Sequence, residues 1–244
     1  MVRQGIDKPL VVFCLCGFTQ LVPQAKTRRI TRAVARCGGD HEIVRDLCGL
    51  AASKDASLAL WAARKNLTIV ACFPRAVRWL FHAAGVTLSE NVRIINARTA
   101  GAGEVAAALG PGGGQNDRSK FAPPPEGSWV PWFPVIDYDS CESCGKCLDF
   151  CLFGVYALSE KQGVEVRHPA NCKTNCPACA RVCPNTAIIF PKYRDGPVAG
   201  DEGGTGQTAE PLKVDLSTVA RKDVLEFIRK RSANAAGRES AEKA

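Results

Sequence analysis

Eight cysteines between residues 141 and 183 constrain this chain more than anything else in it. They stand as Cys141-x2-Cys144-x2-Cys147-x3-Cys151 and, after 20 intervening residues, as Cys172-x3-Cys176-x2-Cys179-x3-Cys183-Pro184. A C-x2-C-x2-C loop wraps three irons of one cubane, and the fourth cysteine, three residues on, points at another cluster. Thiolates are soft donors matched to iron and sulfide. The spacing therefore predicts two [4Fe–4S] clusters in one small zone. Zinc is the usual alternative for repeated C-x2-C pairs, and two crossing sets of four fit it poorly. A disulfide scaffold fits worse, because the chain runs to 244 residues and crowds eight of its 13 cysteines into one segment.

This zone resembles a bacterial-type two-cluster ferredoxin domain. The resemblance implies that Cys141, Cys144, Cys147 and Cys183 hold one cluster, and that Cys172, Cys176, Cys179 and Cys151 hold the other. Two features depart from the family pattern: Leu152 follows Cys151 where proline is usual, and the second run opens with a three-residue gap. Gly145 and Gly154 suit tight backbone near a cluster, and Pro184 ends the wrapping loop. Between the two runs, Ser159–His168 reads as a hairpin turning near Gln162-Gly163.

The first 105 residues read differently. Leu10–Cys14, His41–Leu47, Leu67–Cys72 and Asn91–Asn96 have the β-rich composition of strands. Thr27–Cys37, Lys54–Lys65 and Pro74–Ala84 read as helices, with Pro74 suited to a first turn and Gly38 and Gly85 to helix ends. Such alternation predicts an α/β domain with a mostly parallel sheet and right-handed crossovers. Cys14 and Cys16 then leave the first strand, Cys48 follows the second and Cys72 ends the third. All four fall at the carboxyl edge of one sheet, where open α/β sheets hold ligands. Cys72 also precedes a helix whose positive end favours a net-negative cluster. Cys37 ends a helix, hence lies at the opposite edge, and reads as a buried or free thiol. A [4Fe–4S] cluster, a zinc ion and a metal-free site all remain open at the four thiols.

Four stretches of this half, VVFCLCG, DLCG, IVACFPR with WLFHAAGV, and Asn96–Arg98, resemble the N-terminal domain of the heterodisulfide reductase A subunit. The resemblance covers residues 10–101, and A-C-x-P-R is its most specific piece. It implies one further [4Fe–4S] cluster, a third for the chain. Gly101 stands where that family closes with cysteine, so Cys14 and Cys16 both have to serve beside Cys48 and Cys72. The flavin domain that follows in that family is absent, and no flavin is expected. Gly101-x-Gly103-x-x-Ala106 imitates a dinucleotide fingerprint but lacks the following strand and acidic residue.

The expected organisation is thus residues 1–105 as the α/β domain, 106–128 as a Pro/Gly linker, and 129–193 as a small α+β two-cluster domain. Residues 194–244 follow as a Gly-rich loop and a C-terminal helix, the latter marked by Leu216, Val219, Val224, Phe227 and Ile228 at helical spacing. Trp129, Trp132 and Phe133 are expected to pack the start of the cluster domain. His41, His82 and His168 show no ligand spacing.

The net charge of +8 belongs entirely to residues 1–110, which carry 15 Lys and Arg against 7 Asp and Glu. Ordinary solvated helix faces such as Arg28, Arg29, Arg32 and Arg36 are one reading of it, and a docking face for an acidic partner or nucleic acid is the other. No aromatic residues interleave with the basic ones as single-strand nucleic-acid binding requires. No apolar run approaches a membrane span. Cluster assembly on reduced thiols points to the cytoplasm. No acid–base or nucleophilic constellation appears. The expected role is single-electron transfer with other oxidoreductase subunits or a redox enzyme as partners. An iron–sulfur enzyme using the N-terminal cluster as a substrate site, and a cluster-bearing nucleic-acid-binding protein, are the alternatives.

Overall fold

A computed structural model describes residues 8–110, 127–160 and 163–202. Met1–Gln207 form one compact unit. The expected C-terminal helix and the Pro/Gly core of the expected linker lie outside the described residues, as does a second unit, Thr208–Ala244.

Four parallel strands, β1 (Leu10–Cys14), β2 (Asp40–Val44), β3 (Leu67–Ala71) and β4 (Arg93–Asn96), form a sheet in the order β2-β1-β3-β4. The expected α/β class and parallel sheet are what the structure shows. Strand alternation divides the side chains between two cores. Leu10, Val12 and Cys14 of β1 with Leu67, Ile69 and Ala71 of β3 enter one core, while Val11, Phe13 and Val70 enter the other. Helices α1 (Gln24–Ala35) and α5 (Ala102–Leu109) cover the second core, contributing Ile30, Val34 and Val105. Helices α2 (Leu47–Ala52), α3 (Ser57–Ala62) and α4 (Pro74–Ala83) cover the first. Steps to opposite sides of β1 require helices on opposite faces if every crossover is right-handed.

Three expectations need correcting in this half. The second strand stops at Val44, not Leu47, because Asp46 starts a helix instead: its Oδ1 accepts the Gly49 N–H at 3.0 Å. Cys48 therefore sits in the first turn of α2. The expected helix Lys54–Lys65 shortens to Ser57–Ala62, since Lys54 takes a left-handed φ of 51° and Asp55 Oδ1 accepts the Ser57 N–H at 2.9 Å. Residues 106–109, assigned to the linker, belong to α5, where Glu104 accepts the Gly101 N–H at 3.2 Å.

The cysteine-rich zone runs β5 (Val135–Ile136), α6 (Lys146–Phe150), β6 (Tyr156–Ser159), β7 (Gly163–Val166), α7 (Ala178–Val182) and β8 (Ile188–Ile189). β5 pairs antiparallel with β8, and β6 with β7. The hairpin begins three residues earlier than its sequence indicated. The zone has its own core, including Trp132, Ile136, Tyr156, Val164 and Phe190. Phe133, Val135 and Ile189 instead pack into the sheet's first core beside Val12 and Leu80. The aromatic run thus divides: Trp132 stacks on Phe190 at 5.4 Å, Phe133 faces the sheet, and Trp129 is exposed. No helix among the described residues is long and apolar enough to cross a membrane.

Candidate metal centres

All thirteen cysteines are free thiols. Twelve gather in three sets of four, and Cys37 stands apart, buried in the core on the other face of the sheet.

In the cysteine-rich zone, a cavity is lined by Cys141, Cys144, Cys147 and Cys183, closed on one side by Pro184. The loop before α6 wraps this cavity through left-handed residues, Ser143 at φ 53° and Gly145 at 75°. Backbone amides turn toward the sulfurs: Ser143 N–H donates to Cys141 Sγ at 3.4 Å, and Ala187 N–H to Cys183 Sγ at 3.3 Å. Cys147 lies within electrostatic reach of Cys141 and Cys183, and burial pushes its thiol up to about 11. In the second set, Cys179, Cys176 and Cys151 lie within electrostatic reach of Cys172. Burial pushes Cys172 up to about 12, and the neighbouring Cys179, Cys176 and Cys151 add to the rise. Tyr156 Oη donates to Cys179 Sγ at 3.0 Å. Cys151 and Cys183 follow α6 and α7, so each helix carries its run's last thiol to the other run's loop. In the second loop Asn175, directly before Cys176, takes φ 63°, as Ser143 does before Cys144.

The third set lies where the strand order reverses, between the carboxyl ends of β1 and β3, the crevice in which open α/β sheets hold ligands. Cys14 ends β1 and Cys72 follows β3. Cys16 reaches the same place because the chain turns on it: its φ is 52°, and the Thr19 N–H donates to its carbonyl at 2.9 Å. Gly17 serves a different purpose, since a Cβ there would stand 2.8 Å from Arg45 Cγ and 3.2 Å from the Arg45 carbonyl. α2 brings Cys48, and the Leu47 N–H donates to Cys14 Sγ at 3.2 Å.

Electrostatics within this set are strong. A hydrogen bond from Cys14 lowers Cys16 to about 6, with help from the Lys192 ammonium. That same bond, then burial, raises Cys14 well above its ordinary value. Burial raises Cys48 and pushes Cys72 up to about 12. The raised thiols of Cys14, Cys48 and Cys72 give up their protons to a strongly bound cation, and metal binding to them releases protons. Four converging sulfur donors fit an iron–sulfur cubane. Among the described residues, no three His, Cys, Asp or Glu side chains close to the spacing one metal ion demands. A cubane distributes its thiolates over four irons and does not need that spacing.

Sequence reasoning missed the charged residues around this set. Lys192, Asp46 and Arg98 surround it, and Lys192 is contributed by the cysteine-rich zone 146 residues away from Asp46. Only Asp46, a helix-capping residue type directly before an apolar run, carried a readable local signal. Cys172 packs against both the sheet's first core, to which Cys14 and Cys48 belong, and the core of the cysteine-rich zone. The three histidines stay outside all sets; His82 lies against Trp79 and Tyr138, with ring centroids at 5.0 and 5.2 Å.

No family model matches the chain. An uncharacterized ferredoxin of Methanocaldococcus jannaschii is 48% identical over 63 residues, 25% of this chain and 42% of the relative. The chain thus spans less than half of that protein. Ferredoxin-3 of a Nostoc species is 35% identical in a 75-residue alignment that takes in 23% of this chain and 76% of the relative. With the cysteine geometry described above, this coverage shows that the chain belongs to the ferredoxin family.

Proposed function

We propose that this protein is an iron–sulfur electron carrier or electron-transfer subunit, passing single electrons to or from a partner oxidoreductase. Its cofactors are two [4Fe–4S] clusters in residues 129–193, held by Cys141, Cys144, Cys147 and Cys183 and by Cys172, Cys176, Cys179 and Cys151. A third [4Fe–4S] cluster is held by Cys14, Cys16, Cys48 and Cys72. When bound, these groups supply one-electron redox chemistry that no amino-acid side chain among the described residues offers.

The observation that carries the reading is the cavity lined by Cys141, Cys144, Cys147 and Cys183, which unites three thiols of one run with the last thiol of the other. The residues themselves bury Cys147, half-bury Cys141 and Cys183, and aim amides at sulfur. The contact of Cys172 with both cores supports an order for the path: the N-terminal site, then the Cys172 set, then the Cys141 set. Cys144 is exposed, which favours that last set as the outlet toward a partner. The heterodisulfide reductase resemblance supports an oxidoreductase complex as the setting.

The substrate-site alternative draws on a cluster with three protein ligands and an open iron. Four converging thiols support a relay instead. The nucleic-acid alternative draws on the basic N-terminal half. Arg64, Arg75 and Arg98 of that half are engaged by Asp40, Asp137 and the Tyr193 carbonyl of the same chain.

Potentiometric titration of the anaerobic full chain, followed by electron paramagnetic resonance, tests the reading. Reversible one-electron couples are expected, with magnetic interaction between neighbouring reduced sites. A protein that takes up no electrons reversibly between dithionite and mild oxidants is not a carrier.

A further inference from the structure

Lys192 stands nine residues beyond the last cysteine of the two-cluster zone, yet its ammonium lies inside the N-terminal cysteine site. The side chain is 2% exposed, and its Nζ stands 2.7 Å from each Asp46 oxygen, with Asp46 4% exposed. A pair this buried is a weak source of stability, because the cost of desolvating two charges offsets most of their attraction. What the pair faces supplies a better account of it.

Asp46 is already engaged with α2, whose first turn carries Cys48. Lys192 Nζ meets Asp46 where α2 begins, within one turn of Cys48, so the ammonium is buried beside the thiols that α2 and the end of β1 bring together.

Arg98 occupies another side of the site. Its guanidinium stacks over Phe73 at 4.7 Å, Nη2 donates to the Tyr193 carbonyl at 2.7 Å, and Nη1 is buried with no hydrogen-bond partner. Its charge acts on Cys72 and Cys16. One short return of the chain, Phe190–Arg194, thus supplies Lys192 by its side chain and fixes Arg98 by a carbonyl.

We propose that Lys192 and Arg98 are positioning residues that form the cationic wall of the N-terminal cluster site, and that Lys192 holds the midpoint potential of that site up. This rests on the reading that Cys14, Cys16, Cys48 and Cys72 hold a [4Fe–4S] cluster. Such a group with four thiolates is net anionic, and each reduction adds one electron and one negative charge with no ligand exchanged. A fixed cation in a low-dielectric site favours the more negative form. Lys192 and the Tyr193 carbonyl that holds Arg98 both come from the two-cluster zone, so the N-terminal site is complete only when that zone is docked on the sheet.

The test uses the anaerobically reconstituted full chain and follows each cluster's midpoint potential by electron paramagnetic resonance, with iron and sulfide counted. Lys192→Met removes the cation, and Lys192→Arg keeps it. Lys192→Met/Asp46→Asn removes both charges while retaining a helix-capping side chain, so no buried carboxylate is left unpaired. In Lys192→Met and in the double variant the N-terminal reduction equilibrium should fall at least tenfold, ~59 mV for one electron. The two ferredoxin potentials should hold, and Lys192→Arg should restore the N-terminal value. An unchanged N-terminal potential in a double variant that keeps all its iron overturns the proposal. So does selective loss of the N-terminal cluster from the double variant, which would make the pair a structural support. A wild-type chain with only the two ferredoxin clusters instead overturns the underlying reading, and that outcome is visible before any substitution is made.

Discussion

Arg75, the second residue of α4, joins the sheet to the first cysteine loop. Its Nε and Nη2 reach Asp137 Oδ2 at 2.6 and 2.5 Å, and Nη2 also donates to the Thr186 carbonyl at 3.0 Å. The two side chains are 11% and 6% exposed. Asp137 in turn accepts the Asp139 N–H at 3.0 Å and the Ser140 hydroxyl at 3.0 Å, closing the turn that leads into Cys141. Arg75→Met keeps the apolar stem and strands a buried carboxylate, a loss of about 3–5 kcal/mol. At about 2–4 °C per kcal/mol for a chain of this size, the apparent melting temperature should drop by about 6–20 °C. Arg75→Met/Asp137→Asn removes the stranded charge while a carboxamide oxygen still serves the turn. Its loss should fall short of the summed single losses by about 0.5–3 kcal/mol. Anaerobic thermal unfolding of the full chain at one fixed scan rate, followed by near-ultraviolet circular dichroism, measures Arg75→Met, Asp137→Asn and the double variant. A drop under about 2 °C for Arg75→Met, or strictly additive losses, refutes the buried-pair argument.

Ile189 is fully buried in the core that the sheet shares with β5 and β8. Ile189→Ala should cost about 2–5 kcal/mol and leave a single melting transition, whereas two separated transitions would contradict a shared core. Gly200 has φ +93°, and a Cβ there would stand 2.9 Å from both N and Cβ of Ala76. Gly200→Ala should therefore destabilise by more than about 1 kcal/mol. Gly103→Ala, in open space on α5, should gain about 0.5–1 kcal/mol; equal effects of the two in the same melts would refute this. Cys183→Ser should remove or convert the cluster of Cys141, Cys144 and Cys147 and spare that of Cys172, Cys176 and Cys179. Spectroscopic loss of the latter alone would show that the sets do not cross.

What could be read from the chain depended on how far apart the cooperating residues lie. The two cysteine runs are local patterns, and the loops around them formed where the spacing put them. Strand alternation and the parallel-sheet rule were enough to bring Cys14, Cys16 and Cys72 to one edge and to separate Cys37 from them. Cys48 reached that edge on a different element, because an Asp46 cap overrode an apolar run that read as strand. α5 was hidden by its setting: Ala106, Ala107 and Ala108 favour helix, but the Pro/Gly stretch directly after them read as linker from residue 106. Lys192 with Asp46 and Arg75 with Asp137 had no local signature, since their partners lie 146 and 62 residues away. The same long-range contacts bear on the N-terminal residues in isolation. Residues 1–110 alone would expose the sheet face that Phe133, Val135, Ile189 and Ala199 cover, so the full chain is the proper material for testing that site.

The most direct test of three cysteine sets holding three clusters is a count of iron and acid-labile sulfide on the anaerobically reconstituted full chain. Three cubanes predict about twelve of each per chain, with Cys14→Ser, Cys48→Ser or Cys72→Ser each bringing the count toward eight while the ferredoxin signals persist. About eight in the wild type would remove the N-terminal cluster from the account. Zinc in place of iron, or fewer than about six irons, would contradict it at its centre.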